Sequence, residues 1–398
     1  MDVLRTSKLP TPDSDALAYS AALKHRIGDE IASSGGWIGF DRFMELALYA
    51  PGMGYYSGGA RKFGAAGDFV TAPEISSAFS RTLAAQAAQI LALSAPQMIE
   101  VGAGSGRLAA DLLLELEGRA ALPERYGILD LSGELRERQR ATIGQRAPHL
   151  LERVVWLDRL PERFDGLVLA NELLDAMPVH LVRWGNEGEA LENPEIFERG
   201  VGWENDEFVW SDRPAMGRVL ERAQALSIEH RPAPGYLSEI GLASTDWTAA
   251  WGSILGKGAL LLIDYGFPRH EYYHWQRDAG TLMCHYRHHA HSEPFFLPGL
   301  QDITAHVDFT AIVESGFAAG LDLLGYTTQA AFLLNCGLTE ILARTPAEDY
   351  LNYLPQAQAA QKLISPAEMG ELFKVIALGK GIDEKLIGFA RGDRSATL

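Results

Sequence analysis

Three glycines at alternate positions follow a short apolar segment that ends in a carboxylate. Residues 98–107 read MIEVGAGSGR, in which Glu100 precedes Gly102, Gly104 and Gly106. Glycines allow the backbone to turn sharply and to approach a ligand closely. The residues that follow predict a helix, whose N-terminus offers unpaired N–H groups to an anion. This segment is therefore a candidate ligand-binding loop.

The spacing of the glycines separates two kinds of nucleotide-binding loop. A NAD-type fingerprint needs its third glycine one place later, where this chain has Arg107. Gly106, together with Glu100 at the strand end, fits instead the loop that class I methyltransferases place around S-adenosylmethionine. The alternative is a strand, a glycine turn and a helix that bind no ligand.

A second carboxylate, Asp130, ends the next predicted strand. A carboxylate at this distance from a glycine loop can accept hydrogen bonds from both ribose hydroxyls of a nucleoside. The alternative is an acid that only caps the following helix together with Ser132. The glycine loop upstream favours the ribose interpretation, and we expect the neighbouring Leu131 to contact the same ligand.

Two further acids follow the fourth predicted strand. Asn171 is a good helix N-cap residue, and Glu172 and Asp175 are three residues apart. On a helical turn these two carboxylates would share a face, where a transferable methyl group should project. We expect Asn171 to bind the cofactor and the two acids to be catalytic. The alternative is a capped helix whose acids only complement the helix dipole.

Alternating strands and helices indicate the fold class. Helical periodicity is present at 14–34, 75–94, 105–117 and 132–145. Strands are predicted at 97–101, 125–130, 153–157, 165–170, 258–264, 319–325 and 373–378. This alternation predicts an α/β protein with a doubly wound, Rossmann-like parallel sheet. Its ligand should lie beyond the carboxyl ends of the strands, where the strand order reverses.

Two insertions interrupt this alternation, at about 180–256 and 266–312. Long insertions in compact domains are usually functional loops, and a decorative subdomain is the alternative. We predict a helical, glycine-rich N-terminal region over 1–95 and a core over 96–398 that carries both insertions.

The composition excludes several other classes of protein. The 398 residues carry a net charge of −17 and a pI near 5.1, which argues against bulk nucleic-acid binding. Two cysteines give no disulfide framework. No apolar stretch approaches ~20 residues without a charge, so we expect no membrane span. The N-terminal region carries acids and no apolar segment, and a cytoplasmic location is expected.

Four motifs resemble those of the MidA family, the bacterial relative of a mitochondrial complex I assembly factor that methylates an arginine. The motifs are YAPGMGYYS at 49–57, GDFVTAPEIS at 67–76, NELLDAMPV at 171–179 and DITAHVDF at 302–309. The resemblance spans roughly residues 18 to 380. It implies a class I methyltransferase fold, S-adenosylmethionine as cofactor, and an arginine of another protein as acceptor. Asp130 stands where relatives commonly carry Glu, which keeps the carboxylate but shortens its reach.

The second of these motifs also has a physical interpretation. Phe69 could cover the cofactor, and Asp68 or Thr71 could hydrogen-bond its methionine portion. The alternative is loop capping by Thr71 and Glu74.

A histidine-rich segment raises the question of a metal. Residues 284–291 read CHYRHHAH, and Cys284 with His288 or His291 could ligate zinc. A second pair of ligands is missing from the sequence pattern, and class I methyl transfer needs no metal. We therefore expect no metal, and we expect these side chains to line a channel for the acceptor.

His306 and Asp308 are expected to line the same channel. His306 is a catalytic candidate or, alternatively, a buried loop residue.

A sulfonium methyl group is already activated, so the enzyme has mainly to align the nucleophile and exclude water. A cationic guanidinium acceptor needs carboxylates to hold it. Glu172, Asp175 and Asp308 are the candidates.

Two other functions compete with this interpretation. A nicotinamide oxidoreductase is disfavoured by Arg107. A non-catalytic assembly factor that keeps the methyltransferase fold remains the alternative. The resemblance implies a protein substrate, with a subunit of a respiratory complex as the expected partner.

Overall fold

The computed structural model describes residues 9–58, 71–130, 132–185 and 195–398. Its strands in chain order are β1 Ile38–Gly39, β2 Gln97–Val101, β3 Arg125–Leu129, β4 Val154–Leu157, β5 Phe164–Asn171, β6 His180–Trp184, β7 Ile196–Glu204, β8 Glu207–Pro214, β9 Tyr236–Ile240, β10 Leu255–Phe267, β11 Met283–Tyr286, β12 His289–His291, β13 Asp302–Thr304, β14 Val307–Asp308, β15 Asp322–Thr328 and β16 Phe373–Lys380.

The α-helices alternate with these strands in the second quarter of the chain. They are α1 Ser14–Ser33, α2 Phe40–Tyr49, α3 Ala72–Ile75, α4 Ser77–Leu93, α5 Arg107–Gly118, α6 Gly133–Arg146, α7 Gly217–His230, α8 Leu242–Ile254, α9 Arg269–Tyr272, α10 Phe309–Ala318, α11 Gln329–Asn335, α12 Leu338–Leu342 and α13 Tyr350–Ile364. None of the described helices is both long enough and apolar enough to cross a membrane.

The chain divides into two compact units. The first unit comprises Met1–Phe69, Leu174–Asp246 and Phe267–Asp308, and the second comprises Val70–Leu173, Trp247–Gly266 and Phe309–Leu398. The first unit thus combines the start of the chain with most of the two insertions. Residues 70–95 belong to the second unit. The domain boundaries given above stay predictions.

The second unit contains a mixed sheet with the order β15-β16-β10-β5-β2-β3-β4. The neighbours from β10 to β4 run parallel, whereas β16 is antiparallel to both β10 and β15. The chain leaves β4 at one edge and returns to β5 on the other side of β2. The strand order therefore reverses between β2 and β5, and a ligand is expected beyond their carboxyl ends.

This sheet confirms the seven predicted strands to within a few residues and the Rossmann-like fold class. The antiparallel β16 is a departure from the all-parallel expectation. The apolar core on one face of the sheet includes Leu112, Tyr126, Leu169 and Leu261, each at most 1% exposed.

The first unit is built on antiparallel strands. One sheet has the order β1-β7-β6-β9, with β8 paired to β7, and a smaller sheet has the order β12-β11-β13. Helices α1 and α2 cover a core that includes Ile27, Phe43 and Val201. Helix α7 packs over a second core around Trp184.

The helical turn predicted after the fourth strand is wrong. Asn171 is the last residue of β5, where it pairs with Ile263, and the backbone N–H of Glu172 donates to the carbonyl of the same Ile263 at 2.8 Å. Strand pairing therefore continues through Asn171. Glu172 then adopts a left-handed conformation, with φ of 52°, and Pro178 disfavours a helix in the residues before it.

Two glycines allow β5 and β10 to approach each other. A Cβ atom on Gly258, whose φ is 147°, would lie 1.9 Å from the carbonyl oxygen of Gly166. Gly258→Ala should therefore lower the free energy of unfolding by more than about 2 kcal/mol, measured by urea denaturation.

Gly118→Ala is the matched control. Gly118 is exposed at the end of α5, and a Cβ atom there would have no described atom within 4 Å. This variant should match or slightly exceed the wild-type stability. Equal stability of the two variants would contradict the close approach of the strands.

Candidate active site

The turn between β2 and α5 requires glycine for two reasons. Gly102, Gly104 and Gly106 all have left-handed φ angles, of 69°, 52° and 81°. A Cβ atom would lie 2.9 Å from Cδ1 of Leu173 at position 102, and 2.8 Å from Cα of Gln139 at position 106. The turn is therefore both conformationally strained for other residues and closely packed. It lies where the strand order reverses, as the sequence predicted.

Asp130 lies directly after β3 and is 8% exposed. Its Oδ1 accepts a hydrogen bond from the backbone N–H of Ser132 at 3.0 Å, and its Oδ2 accepts one from Nε2 of Gln139 at 2.8 Å. Ser132 itself caps α6, since its Oγ accepts from the N–H of Leu135. The carboxylate is thus held at the strand end by donors on both oxygens.

Glu100 is buried inside the sheet, at 2% exposure. The hydroxyl of Tyr126 donates to its Oε2 at 2.6 Å. Burial, with a smaller contribution from the charge of Asp130, raises the pKa of Glu100 to about 7 against the lowering effect of the Tyr126 hydrogen bond. Glu100 therefore lies under the glycine turn, close to a second buried acid.

Asn171 ends β5, and Glu172 follows it at the same edge of the sheet. Oε1 of Glu172 accepts hydrogen bonds from Nδ2 of Asn171 at 3.0 Å and from the backbone N–H of Ala72 at 3.2 Å. Within the described residues, the buried Oδ1 of Asn171 has no hydrogen-bond partner. An amide oxygen of this kind is available to accept from a ligand.

The front segment contacts the glycine turn through Glu74. Its Oε1 accepts a hydrogen bond from Oγ of Ser105, and its Oε2 lies 3.3 Å from Nη1 of Arg107. Thr71 occupies the N-cap position of α3, and its side chain makes no capping hydrogen bond within the part of the chain that the structure describes. Three other predicted cofactor contacts lie outside the described residues: Asp68, Phe69 and Leu131.

Three of the four predicted catalytic residues belong to the first unit, and Glu172 belongs to the second. Asp175 is buried at 6% exposure, and its carbonyl oxygen accepts from the N–H of Ala305 at 2.9 Å. The charge of Asp175 helps to raise the pKa of the buried Tyr56, after the larger effects of burial and of Asp302.

Asp308 forms part of a small ionic cluster. Its Oδ2 lies 3.5 Å from Nε of Arg269 and 3.8 Å from Nη2 of Arg222. His306 packs its ring against Phe267, with centroids 5.1 Å apart. The catalytic roles of Glu172, Asp175, His306 and Asp308 stay predictions.

The histidine-rich segment forms part of the smaller sheet of the first unit. Cys284 and His291 are paired across β11 and β12, and both are fully buried. Burial, together with His285, lowers the pKa of His291 to about 4. Among the described residues, this segment contributes to no group of three converging metal ligands.

Comparison with known proteins shows the family to which this chain belongs. The sequence matches S-adenosyl-L-methionine-dependent methyltransferases over residues 82–327. The chain belongs to this family. It is 54% identical to a Burkholderia thailandensis protein whose crystal structure holds S-adenosyl-homocysteine, with a TM-score of 0.93 and coverage of 98% of this chain and 100% of that one.

Two named relatives are more distant. This methyltransferase is 28% identical to the "Protein arginine methyltransferase NDUFAF7 homolog, mitochondrial" of Drosophila melanogaster, over 94% of this chain and 88% of that protein. It is 27% identical to "Protein arginine methyltransferase NDUFAF7, mitochondrial" of Danio rerio, over 92% and 88%. The cofactor indicated by the glycine loop, S-adenosylmethionine, is confirmed.

The residues of the second unit fit this cofactor. The glycine turn has no Cβ atoms at positions 102, 104 and 106, and Asp130 offers a carboxylate suited to ribose hydroxyls. Asn171 offers an amide oxygen that has no hydrogen-bond partner among the described residues. When bound, S-adenosylmethionine supplies a sulfonium methyl group that needs no further activation. The protein residues therefore have to bind and orient the cofactor and the acceptor, and methyl transfer does not require a strong base at this site.

Gln139 is a residue of this site that sequence reasoning missed. It is fully buried, and its Nε2 donates both to Oδ2 of Asp130 and to the carbonyl of Gly104, the latter at 3.2 Å. Nε1 of Trp156 donates to its Oε1 at 3.0 Å, which fixes the orientation of the amide. Gln139 therefore connects Asp130, the acid predicted to bind ribose, to the glycine turn. Nothing in the local sequence pattern distinguishes it from the other polar residues of α6.

Gln139→Leu should weaken S-adenosylhomocysteine binding about 5- to 20-fold, because it removes the donor that orients Asp130. Isothermal titration calorimetry measures this loss. If Gln139 acts through Asp130, Gln139→Leu should weaken S-adenosylhomocysteine binding clearly less in a protein that already carries Asp130→Ala.

Gln145→Leu, an exposed position on the same helix, is the control and should leave the affinity unchanged. A loss of the same size with and without Asp130 would assign Gln139 a general structural role instead.

Proposed function

We propose that this enzyme methylates an arginine side chain of another protein. The observation that supports this most strongly is the extent of the match to relatives named as protein arginine methyltransferases. The Drosophila melanogaster protein matches over 94% of this chain, so the match includes both compact units. If the two proteins shared only a cofactor-binding domain, their sequence similarity would not extend through the first unit.

The position of Glu172 supports a cationic acceptor. It follows β5, at the sheet edge where the strand order reverses, and its φ of 52° is unusual for a residue with a side chain. Such strained conformations concentrate at functional sites. Two donors, Nδ2 of Asn171 and the N–H of Ala72, fix the orientation of its carboxylate.

A carboxylate held in this way can orient a guanidinium through charge-assisted hydrogen bonds. In the reaction, a bond forms between an acceptor nitrogen and the methyl carbon, the bond from that carbon to sulfur breaks, and the nitrogen releases one proton. The protein's task is to hold the acceptor nitrogen in line and to exclude water.

The identity of the acceptor protein is part of the proposal. From the MidA resemblance, we propose a subunit of a respiratory NADH dehydrogenase or of an analogous complex. A net charge of −17 suits a positively charged target segment. We also propose that the modification takes place in the cytoplasm, before the target residue is buried by assembly.

The direct experiment incubates the enzyme with methyl-labelled S-adenosylmethionine and a host lysate, and then locates the label by mass spectrometry. The expected result is labelling of one or very few arginines. Glu172→Gln should reduce this transfer at least 10-fold, since it removes the charge that orients the acceptor, while the affinity for S-adenosylhomocysteine stays nearly intact.

Glu162→Gln, at an exposed position before β5, is the control and should retain full transfer. Label found only on a small metabolite or on RNA would disprove the arginine proposal but leave the family and cofactor unaffected. Cofactor binding without any transfer would favour a non-catalytic assembly factor.

A further inference from the structure

Three potential metal ligands converge in the first unit. His180 begins β6, Glu198 lies in β7, and Asp41 lies in the first turn of α2. Nδ1 of His180 is 2.7 Å from Oε1 of Glu198 and 3.4 Å from Oδ1 of Asp41. Among the residues that the structure describes, this is the one group in which three such ligand atoms lie within 4.8 Å of one another.

The charges of this cluster do not balance. With both acids ionised, two carboxylates face one imidazole, so the net charge is negative whether or not His180 is protonated. Arg218, whose charge also acts on His180, is itself paired with Asp246 at 2.6 and 2.9 Å. The side chains of His180, Glu198 and Asp41 are 18%, 15% and 33% exposed. Charges removed from water in this way are normally paired or bound to a metal.

Gly39 lies beside the cluster and leaves room for the two carboxylates. Gly39 has an ordinary φ of −60°, so its conformation does not require glycine. A Cβ atom at this position would nevertheless lie 2.3 Å from Oδ1 of Asp41 and 3.3 Å from Oε1 of Glu198. Glycine at position 39 therefore allows both carboxylates to reach the imidazole.

We propose that Asp41, His180 and Glu198 bind a divalent transition-metal cation, Zn²⁺ or Mn²⁺. A divalent cation balances two carboxylates and a neutral imidazole, and this donor set suits transition metals better than Mg²⁺. Ligand atoms around tetrahedral zinc lie about 3.4 Å apart. The distance between Oδ1 of Asp41 and Nδ1 of His180, 3.4 Å, already has this value. The distance between Oε1 of Glu198 and Nδ1 of His180, 2.7 Å, would have to increase by less than ~1 Å. The cation would connect α2 to the strands β6 and β7.

The test uses the full chain, freed of metal with a chelator and titrated with ZnCl2, MnCl2 and MgCl2 by calorimetry. The wild type should bind one Zn²⁺ or Mn²⁺ per chain, more tightly than Mg²⁺, and its melting temperature should rise with the cation. Asp41→Asn and Glu198→Gln should each weaken binding at least 10-fold. Asp41→Asn leaves the pair of His180 and Glu198 intact, so it tests the site even if the other variant folds poorly.

His149→Ala is the matched control, because His149 forms an exposed pair with Glu117 at 2.9 Å. It should retain the wild-type affinity for the cation. The proposal is overturned if neither Zn²⁺ nor Mn²⁺ binds the wild type, if Asp41→Asn binds equally well, or if His149→Ala abolishes binding. These readouts do not involve methyl transfer, so they are independent of the proposed acceptor.

Discussion

The left-handed backbone at Gly102, Gly104 and Gly106 lets the chain turn sharply from β2 into α5 with no Cβ atom at these three positions. The same turn is contacted from two directions, by Glu74 through Ser105 and by Gln139 through the carbonyl of Gly104. A rigid turn of this kind limits the entropy that must be lost when a ligand binds. We therefore expect cofactor binding to depend on this turn, which neighbouring polar side chains hold in place.

The carboxylates of the chain differ mainly in what surrounds them. Glu100 is buried with a neutral hydroxyl donor, so burial dominates and its pKa rises to about 7. Asp130 is held by an amide and a backbone N–H at a slightly exposed strand end. Asp308 lies near two arginines. Acids that look equivalent in the sequence are thus expected to perform different tasks.

Sequence reasoning located the strands, the glycine turn and Asp130 because each depends on local pattern. Apolar runs of five to eight residues mark buried strands, and glycine spacing marks the turn. The direction of β16 was missed because periodicity does not encode strand direction. The helical turn at Glu172 was wrong because pairing with Ile263 extends β5. Gln139 was missed because its role comes from contacts with Gly104, Asp130 and Trp156, none of which the local pattern of α6 reveals.

The central claim is that Asp130 and the glycine turn bind the nucleoside part of S-adenosylmethionine. The most direct measurement is calorimetric titration of Asp130→Asn with S-adenosylhomocysteine, with the exposed Asp383→Asn as control. The account predicts a loss of about 1–3 kcal/mol in binding free energy for Asp130→Asn, the scale of lost charge-assisted hydrogen bonds, and no change for the control. Unchanged affinity of Asp130→Asn would contradict it.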